Sequence, residues 1–526
     1  MMSDSDKIIL SLETFRDIVL GGGTIHLSEP VWKRVEGSYR FLAEFNKGKV
    51  IYGINTGFGP MAPYRINQRH QKELQYNLIR SHASGGGAAL SPEECRATLV
   101  VRLVTLAQGQ SGIHPEALRL MQHLVNQEAA PVIFEIGGVG ASGDLVQLAH
   151  VALGLIGEGD MYYQKVRLPA SDVLGQLSLK PMEVHIREGL AIMNGTACMT
   201  ALALLNILHA RHQLYLASVA SALLNEAVRC YTDHFSEPLA EARPHPGQLR
   251  IAAFMRSFLK DSGLTRLRHQ HLYEKESFGS ILKDKIQEYY SLRCVPQILG
   301  PVLEAVETAT EVLLREAHSV NDNPVVDAIR QDVFHGGNFH GDYVAYEMDK
   351  LRIGLTKLGL LAERQLNFVM NPKLNNGFPP FANLGRPGLN FGLQGIQFTA
   401  VSSAAENQTL ANPMSIHSIP NNNDNQDIVS MGANAALLTR RVIANNYRIL
   451  AVLHMALLQI FNDASLRQAS ASHSRQWIQG MERQGFTAFR DDRARFADIQ
   501  RLEDIFKTSI GQPQKVFPCS GLLFPD

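Results

Sequence analysis

The sequence predicts a mainly α protein, with a loop-rich N-terminal domain over residues 1–200 and a bundle of long helices over 201–526. Three observations predict it. Residues 202–228, LALLNILHARHQLYLASVASALLNEAV, place apolar side chains at three- and four-residue spacing through many turns, which is the period of a helix. Runs of alternating apolar and polar residues, the mark of half-buried strands, are scarce. Glycine clusters recur at 21–23, 53–59, 85–87 and 137–143, so the first part of the chain is rich in turns where the backbone takes positive φ or passes close to a neighbour.

In chain order, the opening MMSDSDKIILSLETFRDIVL carries acidic residues where a secretion signal would be basic, and no cleavage motif follows. Residues 134–150, FEIGGVGASGDLVQLAH, read as a glycine-rich turn running into a helix at Asp144. The Asp144 carboxylate is expected to cap the first free amides of that helix. Beyond 202–228, the segments 302–319, 351–367 and 433–460 repeat the helical period. Their apolar residues cover a wider arc than one flank of a bundle needs, so burial between subunits is expected. The most apolar stretches, 199–208 and 449–461, are broken by Asn206, His454 and Gln459 and fall short of a membrane span. The tail reads as a terminal helix and a surface segment.

With 526 residues the chain exceeds what one core usually holds. Hydrophobic residues at 45% and charged residues at 19% rule out a largely disordered chain. Lys+Arg and Asp+Glu both number 50, and this balance argues against nucleic acid or an anionic membrane as the main partner. Cys95, Cys198, Cys230, Cys294 and Cys519 are scattered and odd in number, with no CxxC pair or His/Cys cluster at metal-ligand spacing. Free thiols in a reducing, cytoplasmic setting are expected, and no metal. No glycine-rich phosphate loop follows a strand-like run, so no nucleotide is expected either.

The segment with the most chemical content is Ala141-Ser142-Gly143. The tripeptide alone is weak: it recurs at Ala83-Ser84-Gly85, and a tight turn before a helix accounts for it. Its glycine-rich setting allows a sharper reading. If the turn is compressed, the amide nitrogen of Gly143, free of side-chain hindrance, can attack the carbonyl of Ala141. Loss of two waters, one from the Ser142 hydroxyl, then leaves a 4-methylidene-imidazol-5-one, an electrophile no standard side chain supplies.

GGVGASGDL, with YGINTGFGP before it and REGLAIMNGTA, QEYYSLRCVPQILG, NDNPV and GGNFHGD after it, resembles the aromatic amino acid ammonia-lyases, which include the histidine, tyrosine and phenylalanine enzymes. The resemblance runs from about residue 10 to 461 with the motifs in family order. It implies a homotetramer of ammonia-lyase/fumarase-like architecture, active sites built from several subunits, and the self-derived ring at 141–143. It also implies roles. Tyr52 matches the general base that removes a β-proton, a task for which a phenol needs nearby positive charge or donors. Gly59 shares its loop, and Asn194 matches an amide that contacts ring and substrate amine. Gln287, Tyr290 and Arg293, spaced by three, are expected on one helical face, with the Arg293 fork suited to the substrate carboxylate. Asn323 and Phe339 resemble residues lining the pocket, and Glu406 and Gln426 match polar positions near the substrate.

Two positions bear on the substrate. Ser81-His82 stands at the family's specificity position and is the pair common in histidine enzymes. Yet the chain reads Asn425-Gln426-Asp427-Ile428, without the glutamate that histidine enzymes place after the glutamine. A phenol hydroxyl suits His82 where no carboxylate greets an imidazole, and the combination resembles bacterial tyrosine ammonia-lyases. L-tyrosine is therefore the expected substrate and p-coumarate the product, with L-histidine, phenylalanine and a 2,3-aminomutase reaction as alternatives.

Overall fold

The computed structural model describes residues 9–273, 285–375, 377–511 and 523; Cys519 and the end of the predicted surface segment lie outside them. The protein is mostly helical, as predicted. It forms two compact units, each discontinuous in sequence: the first takes the described residues up to Asn206 with Ala309–Asp349 and Pro413–Leu438, and the second takes those of Ile207–Thr308, Lys350–Asn412 and from Thr439 on. The sequence pattern suggested a division along the chain at residue 200; the units instead recruit later segments, because chain-distant motifs pack on the first unit.

The first unit is organised around the helix Pro92–Leu106. Ser91 starts it with a reciprocal cap, its hydroxyl accepting from Glu94 N at 3.2 Å while the Glu94 carboxylate accepts from Ser91 N at 2.8 Å. Every residue from Glu94 to Leu106 is buried, as expected of a helix surrounded on all sides. Helices Leu12–Leu20 and Pro115–Asn126 pack against it, while Gln71–His82, Leu145–Leu155 and Glu188–Met193 pack on one another. Strands are short and antiparallel: Gly86–Ala89 with Phe134–Ile136, Asp160–Tyr163 between Ala130–Pro131 and Val166–Pro169, and Val325–Asp327 with Asp332–Phe334.

The second unit is built on long helices. Leu214, Val219, Leu223, Leu303, Leu355, Leu358, Leu450 and Leu453 are buried there, each worth roughly 1.5–3 kcal/mol relative to exposure. One polar layer crosses that core. Asn446 donates to Leu355 O at 2.8 Å and accepts from Asn407 Nδ2 at 2.9 Å, and Gln213 Nε2 donates to Ile443 O at 2.6 Å. Satisfied amides of this kind fix helix register, since a slip would strand them unpaired. Among the described residues, no helix is long and apolar enough to cross a membrane.

Candidate active site

The turn at Ala141-Ser142-Gly143 is held in left-handed backbone geometry, with φ of 76° at Gly140, 58° at Ser142 and 78° at Gly143. That conformation is ordinary for glycine and uncommon for serine. Gly140 and Gly143 bridge each other antiparallel, and Gly143 also bridges Gly195. A Cβ on Gly143 would stand 2.1 Å from Gly195 O, and one on Gly140 would stand 2.2 Å from Ser430 Oγ. Neither position admits a side chain. Ala141 is buried with Val429 and Met431, and Met431 N donates to Val139 O at 3.1 Å. Residues from three parts of the sequence thus press the turn shut.

Asp144 departs from the sequence expectation. It precedes the helix Leu145–Leu155, but its side chain makes no cap there. Its carboxylate accepts instead from Met199 N at 2.9 Å, serving the first turn of Ala197–Ala227. The reason is tertiary: Asp144 N donates to Gly195 O at 2.8 Å, which lays the turn against the start of that second helix. Burial pushes the Asp144 carboxyl up to about 7, opposed by the backbone N–H donors of Met199 and Cys198.

Two amides reach the turn. Asn194 Nδ2 donates to Ser142 O at 3.0 Å, and Gln426 Nε2 donates to Ser142 Oγ at 3.3 Å. Asn194 is buried, and its Oδ1 has no hydrogen-bond partner among the described residues. A buried acceptor left this way is costly unless a ligand supplies a donor. Asn194 is positioned by Arg102, whose buried guanidinium donates to the carbonyls of Ala191 and Asn194 and to Asn321 Oδ1. Gly195 must lack a side chain because a Cβ would meet Arg102 Nη1 at 2.3 Å. Gln426 is delivered by a tight turn in which Asn422, Asn423 and Asp424 are all left-handed and Asn421 bridges Gln426.

The Tyr52 loop abuts that turn. Gly59 N donates to Tyr52 Oη at 3.1 Å, and a Cβ on Gly59 would lie 2.6 Å from Asn422 Nδ2. Tyr52 N donates to His335 Nε2 at 3.4 Å, tying the loop to the segment that carries Phe339. The same segment is joined to Asn323, whose Oδ1 accepts from Gly336 N at 2.9 Å. Arg187, fully buried, holds the Asn323 segment through Asp322 Oδ1 at 3.0 Å and the carbonyls of Asn323, Pro324 and Ser111. Phe339 is half-buried. Nearby, Gly341 lies so close to Met199 that a Cβ would meet its sulfur at 2.4 Å.

His82 ends the helix Gln71–His82, and its side-chain hydrogen bonds stay within that helix. Nδ1 lies 3.0 Å from Leu78 O and 2.9 Å from Ser81 Oγ. A carbonyl only accepts, so Nδ1 carries the proton; a neutral ring then presents Nε2 as an acceptor.

Gln287, Tyr290, Arg293 and Glu406 belong to the second unit. The expected common helical face is not formed: the helix there is only Tyr290–Arg293, with Tyr289 extended at its start, so Gln287 lies ahead of it. Glu288, just ahead of that helix, is buried and paired with Lys285. Tyr290 is 70% exposed, with the Arg293 guanidinium 4.9 Å from its ring centre. Glu406 accepts from Asn445 Nδ2 at 2.7 Å within the bundle.

Of the predicted residues, the first unit therefore brings Ser142, Asn194 and Gln426 into direct contact, and Tyr52 with Gly59 beside the Gln426 turn. Sequence reasoning missed Arg102, Arg187, His335 and Asn422. Arg102 left a signal, a lone cation inside the apolar run LVVRLV.

The sequence matches the family model described as aromatic amino acid lyase over residues 10–482. It is 41% identical over 465 residues to the MIO-dependent tyrosine 2,3-aminomutase of Streptomyces globisporus, covering 86% of this chain and 85% of that one. It is 38% identical over 465 residues to the tyrosine ammonia-lyase of Cupriavidus metallidurans, covering 87% of each. The solved structure of the tyrosine aminomutase from Streptomyces globisporus superposes with a TM-score of 0.92 at 35% identity, covering 97% of this chain and 98% of that one.

Proposed function

The chain belongs to the aromatic amino acid lyase family, and from that premise we propose that it eliminates ammonia from L-tyrosine to give p-coumarate. The observation that carries this reading is the closed turn at Ser142, gripped by Asn194 and Gln426 beside the Tyr52 loop. Ala141, Ser142 and Gly143 fit a self-derived 4-methylidene-imidazol-5-one, because the turn is already compressed and neither flanking glycine has room for a side chain. When formed, that group supplies an electrophile that draws electron density from the substrate amine.

The other groups bind, orient and move protons. Asn194 Oδ1 accepts from the substrate amine. Tyr52 takes the β-proton, with the Gly59 N–H donating to its oxygen and fixing its position. The helix Leu145–Leu155 starts directly after the turn and places its positive end there. His82 Nε2 accepts the phenol hydroxyl of the substrate, with Ser81 bracing the ring from the Nδ1 side. Asn323 and Phe339 line the pocket; Arg293, with Gln287 and Tyr290, pairs the carboxylate in a homotetramer whose sites combine several subunits.

A second reading, a tyrosine 2,3-aminomutase, is favoured by the 41% identity to a relative of that name. It would use the same elimination and return ammonia to the β-carbon. Product analysis separates the two. L-tyrosine, L-histidine and L-phenylalanine are supplied in parallel, with ultraviolet detection of the unsaturated acid and chromatography for β-amino acid. p-Coumarate with stoichiometric ammonia supports the lyase; β-tyrosine without ammonia supports the mutase; preferred turnover of histidine overturns the substrate assignment. The intact mass should fall two waters below the sequence mass, and Ser142→Ala should restore at least one and abolish turnover.

A further inference from the structure

Away from the Ser142 turn, the first unit gathers two imidazoles and a carboxylate that sequence spacing could not reveal. His114 and Glu116 open the helix Pro115–Asn126, and His185 arrives from 71 positions further on (185 − 114). Glu116 Oε2 lies 3.6 Å from His114 Nδ1 and 3.9 Å from His185 Nε2, and the three ligand atoms all fall within 4.8 Å of one another. The geometry points to a site for a divalent transition metal of the Zn2+ class, held by His114, Glu116 and His185 with water completing a tetrahedron.

Three features support it. The scaffold is prearranged by one buried carboxylate: Glu188 accepts from His114 N at 3.1 Å, His185 N at 2.7 Å and Ile186 N at 2.9 Å, so both histidine backbones hang from the same group. The imidazoles lie against each other with centres 4.1 Å apart and planes inclined by 36°, and Tyr39 makes an edge contact on His114 with centres 4.6 Å apart. His185 Nε2 is buried and has no hydrogen-bond partner among the described residues, while His114 Nδ1 holds only a long 3.4 Å contact from Glu116 N, easily exchanged for a metal bond.

Metal–nitrogen bonds of about 2.0–2.1 Å put tetrahedral ligand atoms about 3.3 Å apart, so the cluster must contract slightly. The exposed Glu116 side chain, 66% accessible, can close its 3.6 and 3.9 Å gaps, and small shifts of the two rings must bring their nitrogens together. Two imidazoles with one carboxylate suit Zn2+ or Co2+ better than Mg2+ or Ca2+, which prefer oxygen. The ion would staple the start of Pro115–Asn126 to the segment carrying Arg187, which in turn holds the Asn323 segment.

Tag-free, chelator-treated protein with its full chain is titrated with Co2+. One ion per chain is expected, with the intense visible absorption of four-coordinate cobalt, displaced by Zn2+. His185→Ala should remove the signal, Glu116→Ala should weaken binding tenfold or more, and His123→Ala, an exposed histidine on the same helix, should change nothing. Zn2+ should raise the melting temperature of the parent and not of His185→Ala. His114→Ala is the weaker probe because His114 also caps its helix. Faint six-coordinate absorption, or equal binding by His185→Ala of unchanged circular dichroism, overturns the site whether or not the protein is an active lyase.

Discussion

The Tyr52 hydroxyl accepts from a backbone N–H of its own loop, that of Gly59. Tyr52→Phe should leave the two-water mass deficit intact, because Tyr52 lies outside the cyclising turn. It should lower kcat by about 100- to 10,000-fold with little change in substrate affinity; single-turnover kinetics with mass spectrometry check both halves. His82 is testable in the same spirit. With Nδ1–H committed to Leu78 O, Nε2 is the atom that can accept from a phenol. His82→Phe should cost tyrosine about 10- to 100-fold in kcat/KM, or roughly 1–3 kcal/mol, and shift the tyrosine-to-phenylalanine ratio by about tenfold or more. A ratio that stays put would remove His82 from the specificity role.

Helices of the second unit bury histidines in the neutral state. Burial drives His209 down to about 4 and His212 and His454 to about 3, although His454 still donates to Leu216 O at 3.2 Å. The sign follows from linkage: unfolded histidine takes a proton near 6.5 that the buried ring refuses, so stability is full above that pH and is lost as pH falls toward the folded values. Each such ring costs about 2 kcal/mol between pH 6.5 and 5. His454→Phe, which keeps an aromatic against Trp477 and Phe506, should lose about 1 kcal/mol at pH 7. It should outlast the parent at pH 5, as urea midpoints at the two pH values would show. The helix Ala197–Ala227, whose first turn lies in the first unit, owes one of its terminal hydrogen bonds to Asp144, more than fifty residues earlier. Capping rules find partners within a few residues, so this one could not be read locally.

At the scale of the molecule, several large apolar side chains face outward in a single chain. Tyr343 and Tyr346 on Asp342–Met370 are 71% and 61% exposed, and Ile416, Ile419 and Ile428, flanking the Gln426 turn, are each close to that. Surfaces of this composition usually meet a partner. We propose a homotetramer, in which exposed residues such as Tyr290 would meet a neighbouring subunit's site. Sedimentation should give a tetramer, and a dilution or mutation that yields monomers should abolish turnover; an active monomer would overturn the assembly.

The sequence carries the helical class, the long helices and the glycine-rich turn, because periodicity and residue identity are local properties; that the turn's glycines admit no side chain follows from Gly195 and Ser430, brought in from elsewhere in the chain. It also determined the family, since linked motifs in order leave few alternatives. Folding settles where the Asp144 carboxylate binds, that Gln287 stands outside the Tyr290 helix, that Arg102 and Arg187 hold Asn194 and Asn323, and that His114, Glu116 and His185 meet. Those outcomes depend on burial and on contacts between residues dozens to hundreds of positions apart, and packing, not local propensity, sets which polar groups find one another when water is excluded.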